Sequence, residues 1–177
     1  MTERTDTLLP AILIDRARAV LDANRAAGRC IAVAESCTGG LVAAALTEIA
    51  GSSDVFMCGF VTYSDSAKRQ ALGVAGNVIE TFGAVSIATA WAMAQGALER
   101  TEADVAVSIT GIAGPGGGSE RKPVGTVVFA RAEKGAAPDK IKAERRELGD
   151  LGRGGVRLQA ALVALDLLMP DAETSAP

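Results

Sequence analysis

Apolar residues recur along the chain at two spacings, and each spacing predicts a type of element. Over residues 11–27, Leu13, Ala17 and Leu21 fall on one face of a helix, while charged residues occupy the other positions. A glycine follows this stretch, as is typical of a helix end. Residues 30–34 then form a short run that is almost entirely apolar. We interpret that run as a buried strand.

The same reasoning predicts the remaining elements in an alternating order. Helices are predicted over residues 38–50, 64–72, 87–100 and 155–169, and strands over 55–62, 104–110 and 124–131, with an edge strand as one interpretation of 140–148. Strands interleaved with helices indicate a three-layer α/β/α sandwich with a mixed, mostly parallel central sheet. We expect a single domain over residues 1–170, followed by a flexible tail over 171–177.

Composition narrows the classes of partner. The 177 residues are 49% hydrophobic but only 3% aromatic, and the net charge is −3. Basic residues form no block that could follow a phosphate backbone, and few aromatic rings are available to stack on bases, so we expect no nucleic-acid partner. Since apolar stretches are too short for a membrane span or a signal peptide, we predict a cytoplasmic protein without a membrane partner.

Cysteine and histidine usage argues against a metal site. The chain has three cysteines, no Cys-x-x-Cys pair and no histidine. An odd number of cysteines without such a pair is typical of reduced thiols in a cytosolic protein. Because zinc sites are built mainly from cysteine and histidine, we predict neither a metal nor a cofactor.

Ser36 lies where a predicted strand turns into a helix, in the run Ala-Glu-Ser-Cys-Thr-Gly-Gly of residues 34–40. Backbone amides at a helix start are unpaired and favour negative charge, so this turn could hold a phosphate or an oxyanion beside a nucleophilic serine. Alternatively, Ser36 merely caps the helix. Glu35 could bind a cation or cap the same helix.

Without histidine, a Ser-His-Asp arrangement is excluded, and a lysine, tyrosine or carboxylate would have to take the serine proton. Tyr63, the single tyrosine, and Lys68 follow the second predicted strand. A lysine acts as a base only when its pKa falls from about 10.4 to about 7–8, which burial and a helix start both favour. The alternatives are a solvated lysine and a tyrosine that only packs.

A glycine-rich loop over residues 111–119 follows the third predicted strand. Thr110 and Gly111 come at the carboxyl end of that strand, where open α/β sheets bind ligands. The loop lacks the ending of a P-loop and the spacing of a dinucleotide fingerprint. It remains a plausible backbone-amide surface for a phosphate, with Arg121 and Lys122 nearby.

Taken together, these stretches resemble the CinA C-terminal domain family. The resemblance runs in one consistent order from about residue 30 to residue 130. It is carried by residues 34–40, 59–64 with Lys68, 72–74, 82–86, 109–119 and 122–127. Matches of this length and order are highly specific.

The resemblance implies an activity. Members of the family hydrolyse the carboxamide of nicotinamide mononucleotide to the nicotinate nucleotide and ammonia, and this chain looks like the stand-alone amidase form. A small-molecule nucleotide substrate and a homo-oligomer, with a dimer favoured, are expected. Two alternatives stay open: a nucleotide-binding module without turnover, and an interaction module associated with competence or DNA damage.

The resemblance also implies residue roles. Ser36 would be the nucleophile, Lys68 its base, and Tyr63 a third member that relays or orients the proton. The residues expected to bind the oxyanion or substrate are Glu35, Cys37, Thr38, Gly39, Gly40, Thr110, Gly111 and Arg153. The family commonly has a Gly-Asp-Arg run before its last helix, whereas this chain reads Gly-Asp-Leu-Gly-Arg over residues 149–153. Either Arg153 substitutes for that arginine, or a contact with the substrate phosphate is lost.

Overall fold

The computed structural model describes residues 7–137 and 140–171. The helices are α1 (Ala11–Ala26), α2 (Leu41–Thr47), α3 (Asp65–Leu72), α4 (Gly76–Phe82), α5 (Ile87–Glu99) and α6 (Gly152–Leu168). The strands are β1 (Ile31–Glu35), β2 (Phe56–Val61), β3 (Val105–Gly111), β4 (Thr126–Glu133) and β5 (Lys142–Glu147). All but the first residue of the predicted tail lie outside the described residues.

The strands form one mixed sheet in the order β2-β1-β3-β4-β5. β1 pairs in parallel with both β2 and β3, while β3–β4 and β4–β5 pair antiparallel. Helices pack on both faces of the sheet. The predicted three-layer α/β/α architecture with a mixed sheet is confirmed.

Each face of the sheet contributes to a different part of the core. On β1, Ile31 and Val33 point toward α1, α2 and α6, whereas Ala32 and Ala34 point toward α5. All four side chains are fully buried. A strand covered on both faces needs apolar residues at every position, which explains why β1 appears in the sequence as a continuous apolar run.

Two helix starts differ from the sequence predictions, and one helix was not predicted. The helix predicted from residue 38 begins only at Leu41, because residues 37–40 form a turn. The last helix begins at Gly152 instead of residue 155, and α4 over Gly76–Phe82 was not predicted. Both of these helices open with glycine, which disfavours helix in isolation, so packing against the domain outweighs local propensity there. No helix in residues 7–137 and 140–171 has the length and hydrophobicity to span a membrane.

The topology brings the carboxyl ends of β2, β1 and β3 to one edge of the sheet. The chain leaves β1 through α2 on one face, whereas α5, on the opposite face, leads into β3. Such a change of side opens a crevice between β1 and β3, where ligands bind in open α/β sheets. Ser36 follows β1 and Thr110 lies near the end of β3, so both line this crevice.

Candidate active site

Ser36 and Lys68, which are 32 residues apart in sequence, meet at the carboxyl edge of the sheet. Ser36 Oγ lies 3.1 Å from Lys68 Nζ. Ser36 is 8% exposed and Lys68 only 1% exposed. The amide of Ser36 donates to the carbonyl of Ile109 on β3 at 2.9 Å, which holds the serine over the crevice. The interpretation of Lys68 as a solvated helix residue is therefore wrong.

The surroundings of Lys68 favour the neutral amine. Burial lowers the pKa of Lys68, and the negative charge of Asp65 opposes this effect only in part. Its Nζ lies 3.0 Å from the carbonyl oxygen of Thr62 and 3.5 Å from that of Tyr63. A neutral amine has two N–H groups for these carbonyls and one lone pair left for a hydroxyl proton. The geometry suits a base facing Ser36.

The turn between β1 and α2 depends on two glycines. Gly39 has φ 61° and Gly40 has φ 91°, both in the left-handed region that residues with a Cβ rarely adopt. These two residues let the chain reverse within four positions, so that Ser36 stays at the sheet edge while α2 packs on one face. The turn explains why the predicted helix starts late.

Glu35, not Ser36, caps α2. The Glu35 carboxylate is fully buried and accepts hydrogen bonds from the amides of Gly40 (3.0 Å), Val42 (3.1 Å) and Ala43 (2.8 Å). Carboxylates are favoured at helix N-termini, where they satisfy orphan amides and oppose the helix dipole. Of the two interpretations of Glu35, helix capping is therefore confirmed, and Glu35 does not line the cavity. The Ser36 hydroxyl is left free of a capping role.

Two of the expected oxyanion donors already have partners. The amide of Gly39 donates to the carbonyl of Ser36 at 3.0 Å, and that of Gly40 donates to the capping carboxylate. The structure thus departs from the expectation that these two amides are available to a ligand. The candidate donors narrow to the amides of Cys37 and Thr38, in the turn directly after the serine.

Cys37 and Thr38 are held tightly beside Ser36. Cys37 is 5% exposed, and burial raises the pKa of its thiol to about 11, so it stays protonated at neutral pH. The carbonyl of Thr38 accepts a hydrogen bond from Arg157 Nη2 on α6 at 2.9 Å. This contact connects the turn between β1 and α2 to helix α6.

Tyr63 and Arg153 form a second contact across the site. Arg153 donates through Nη2 to the Tyr63 hydroxyl and through Nη1 to the carbonyl of Gly114, both at 2.9 Å. Tyr63 is 60% exposed and approaches Lys68 through its backbone carbonyl. Arg153 thus joins the end of β2 to the glycine-rich loop from the first turn of α6.

These groups surround a cavity of about 230 Å³. The residues that line it are Ser36, Cys37, Tyr63, Asp65, Lys68, Ala84, Val85, Thr110, Gly111, Ala113 and Arg153. Thr110 is 1% exposed and its hydroxyl donates to the carbonyl of Ala84 at 2.9 Å, so it supports the cavity wall. Thr110, Gly111 and Arg153 therefore lie at the cavity, as expected.

Four lining residues received no site role from the sequence: Asp65, Ala84, Val85 and Ala113. Ala84 and Val85 belong to the motif over residues 82–86, and their position in that motif was the available signal. Asp65 is three positions before Lys68, a spacing that places both on one face of a helix. That spacing could have identified it.

The fold and the cavity define a class of protein. It is a three-layer α/β/α domain with a mixed sheet, and its candidate site is a buried serine–lysine pair at the carboxyl ends of parallel strands. The chain belongs to the CinA C-terminal domain family, whose profile matches residues 14–171. The resemblance inferred from the motifs is confirmed.

Relatives with an assigned activity cover most of the chain. It is 52% identical over 143 residues to the nicotinamide-nucleotide amidohydrolase PncC of Enterobacter agglomerans, covering 81% of this chain and 85% of that protein. It is 50% identical over 156 residues to PncC of Escherichia coli K12, covering 88% and 92%. The crystal structure of the competence/damage inducible protein CihA from Agrobacterium tumefaciens superposes with a TM-score of 0.86 at 48% identity, covering 92% and 96%.

Proposed function

We propose that the chain is a nicotinamide-nucleotide amidase that hydrolyses the carboxamide of nicotinamide mononucleotide through an acyl-enzyme on Ser36. The observation that carries this proposal is the 3.1 Å separation of Ser36 Oγ and Lys68 Nζ inside a cavity at the sheet edge. The two PncC relatives, named for this reaction and at least 50% identical, support it.

Acylation begins when Lys68 accepts the Ser36 hydroxyl proton as Oγ attacks the carboxamide carbon. An oxyanion forms on the former carbonyl oxygen, and the amides of Cys37 and Thr38 are the donors nearest in sequence to the reacting serine. The intermediate collapses when the C–N bond breaks. The Lys68 ammonium returns its proton to the departing nitrogen, and ammonia leaves.

Deacylation repeats these steps with water. The neutral Lys68 amine takes a proton from a water molecule, whose oxygen attacks the ester carbon. The C–Oγ bond then breaks, Ser36 recovers its proton, and the nicotinate nucleotide is released. Each half-reaction leaves Lys68 neutral again, so one amine serves both steps as base and acid.

In this scheme Tyr63 positions Lys68 and Arg153 and does not itself transfer a proton. Its carbonyl faces the Lys68 amine, and its hydroxyl holds Arg153 at the rim of the cavity. We place the substrate phosphate near Arg153, because a guanidinium suits phosphate binding and this side chain spans the rim. The Thr110 hydroxyl positions the opposite wall through Ala84.

The test is ammonia release from nicotinamide mononucleotide. We expect Ser36→Ala to lose at least about 10⁴-fold in kcat and Lys68→Ala about 10²–10⁴-fold. The matched control is Ser66→Ala, which alters an exposed serine on α3, the helix that carries Lys68. This variant should keep wild-type rates. Equal rates in all variants would refute the mechanism.

Binding without ammonia release by the wild type would instead favour a nucleotide-binding module. The expected homodimer and the cytoplasmic location stay predictions.

A further inference from the structure

The cavity contains one acidic group whose role the proposed mechanism leaves open. Its charged lining residues are Asp65, Lys68 and Arg153. Lys68 and Arg153 are bases, so neither can carry negative charge. Within the described lining, Asp65 is therefore the group that can offer negative charge to a ligand.

Asp65 lines the same cavity as Ser36 and lies on the helix that carries Lys68. It is the first residue of α3, directly after the N-cap Ser64, whose hydroxyl accepts from the amide of Ala67 at 3.1 Å. Residues three apart on a helix lie on one face, so Asp65 and Lys68 are neighbours there. Its charge also reaches Lys68, since it opposes the lowering of the Lys68 pKa.

The Asp65 carboxylate is available to a ligand. Ser64 performs the capping role that Asp65 could have taken. Across residues 7–137 and 140–171, no hydrogen bond or ion pair engages the Asp65 side chain. An exposed carboxylate without a partner at the rim of a cavity attracts a cation.

The substrate of the proposed function carries such a cation. The ring nitrogen of nicotinamide mononucleotide is quaternary, so the ring that bears the reacting carboxamide is positively charged, while the phosphate at the other end is negative. With the carboxamide carbon at Ser36 Oγ, the ring would enter the cavity that Lys68 and Asp65 both line. We propose that Asp65 recognises the cationic pyridinium ring and makes the enzyme prefer it over a neutral ring. This inference rests on the proposed function.

Asp65 acts on catalysis in two ways that a single substrate cannot separate. It attracts a cationic ring, and it also raises the protonated fraction of Lys68, which slows any substrate. Only the first effect depends on the charge of the ring. The ratio of kcat/KM for a cationic and a neutral substrate therefore isolates recognition, because the effect on Lys68 cancels.

The matched pair of substrates is nicotinamide mononucleotide and its 1,4-dihydro form. Both have the same carboxamide, ribose and phosphate, but the dihydro ring is neutral. Ammonia release from each would be measured for the wild type, Asp65→Asn and Asp65→Glu at low ionic strength. Asp15→Asn, an exposed aspartate on α1, is the control.

We expect Asp65→Asn to lower the cationic-to-neutral ratio about fivefold, the size of a solvated ion pair, with the difference shrinking at high salt. Asp65→Glu and Asp15→Asn should keep a ratio near that of the wild type. A ratio unchanged in Asp65→Asn, with the wild type active on the cationic nucleotide, would overturn the inference alone. A wild type that releases ammonia from neither nucleotide would overturn the proposed function and the inference with it.

Discussion

Lys68→Met keeps an unbranched side chain, one atom shorter, but removes the amine that lies 3.1 Å from Ser36 Oγ and 3.0 Å from the carbonyl of Thr62. Without a base, we expect kcat for ammonia release to fall about 10²–10⁴-fold. The same substitution should change how the stability of the protein depends on pH, because Lys68 is buried and its pKa is lowered from 10.5.

The sign follows from proton binding. At a pH between the lowered value and 10.5, the unfolded chain holds a proton on Lys68 that the folded protein does not. The free energy of unfolding of the wild type therefore rises with pH in this window, by up to about 1.4 kcal/mol per pH unit. Below the window both states are protonated, and the folded state carries the full cost of a buried charge.

Lys68→Met removes this dependence. At low pH the variant should gain stability relative to the wild type, and the gain should shrink as pH rises through the window. Near pH 10.5 the neutral Lys68 amine of the wild type keeps hydrogen bonds worth about 0.5–1.5 kcal/mol each, which the variant lacks. At that pH we expect the wild type to be at least as stable as the variant.

Urea unfolding followed by circular dichroism, from mildly acidic to strongly alkaline pH, measures the difference. Lys134→Met, which alters an exposed lysine, is the control and should run parallel to the wild type. Parallel curves for Lys68→Met and the wild type would refute a lowered Lys68 pKa, and activity within tenfold of the wild type would refute its role as base.

Three further predictions address the groups around this pair. Glu35→Gln should lower the free energy of unfolding by about 2–3 kcal/mol, because the N–H₂ group of glutamine would face backbone amides that now donate to the carboxylate. Urea unfolding measures this change. An effect no larger than that of Glu102→Gln, which alters an exposed glutamate, would contradict the capping role. Cys37, with a thiol pKa of about 11, should react with iodoacetamide at pH 8 more slowly than the two partly exposed cysteines, and mass spectrometry should show equal labelling once the chain is unfolded. Thr110→Val should raise KM more than it lowers kcat, since the hydroxyl that holds Ala84 is lost; steady-state kinetics that show only a kcat effect would argue against a wall-supporting role.

All described elements longer than one turn except helix α4 could be predicted, because each carries a local signal. β1 is apolar from Ile31 to Ala34, and strands alternate with helices along the first half of the chain as expected of a layered fold. Helix α4 could not be predicted, since seven residues that open with glycine have little helical tendency of their own. Its helical form depends on contacts with α5.

The meeting of Ser36 and Lys68 could not be predicted from local sequence. The parallel register sets Glu35 opposite Val61, so the residues that follow these strand ends, Ser36 and Thr62, are neighbours. Helix α3 then begins within four residues, and its first turn brings Lys68 back over the sheet edge. Sequence spacing alone favoured a solvated lysine, because burial depends on what packs around a residue.

The sequence by itself determined the α/β class, the family motifs and the absence of histidine, which leaves lysine, tyrosine or a carboxylate as the base. It left two serine roles and two glutamate roles open. The tertiary structure shows that Glu35 caps α2 and that the Ser36 hydroxyl, free of a capping role, faces a buried Lys68 whose pKa is lowered. The physical reason is that residue type and order are local properties, whereas desolvation and hydrogen-bond partners arise only when distant segments pack together.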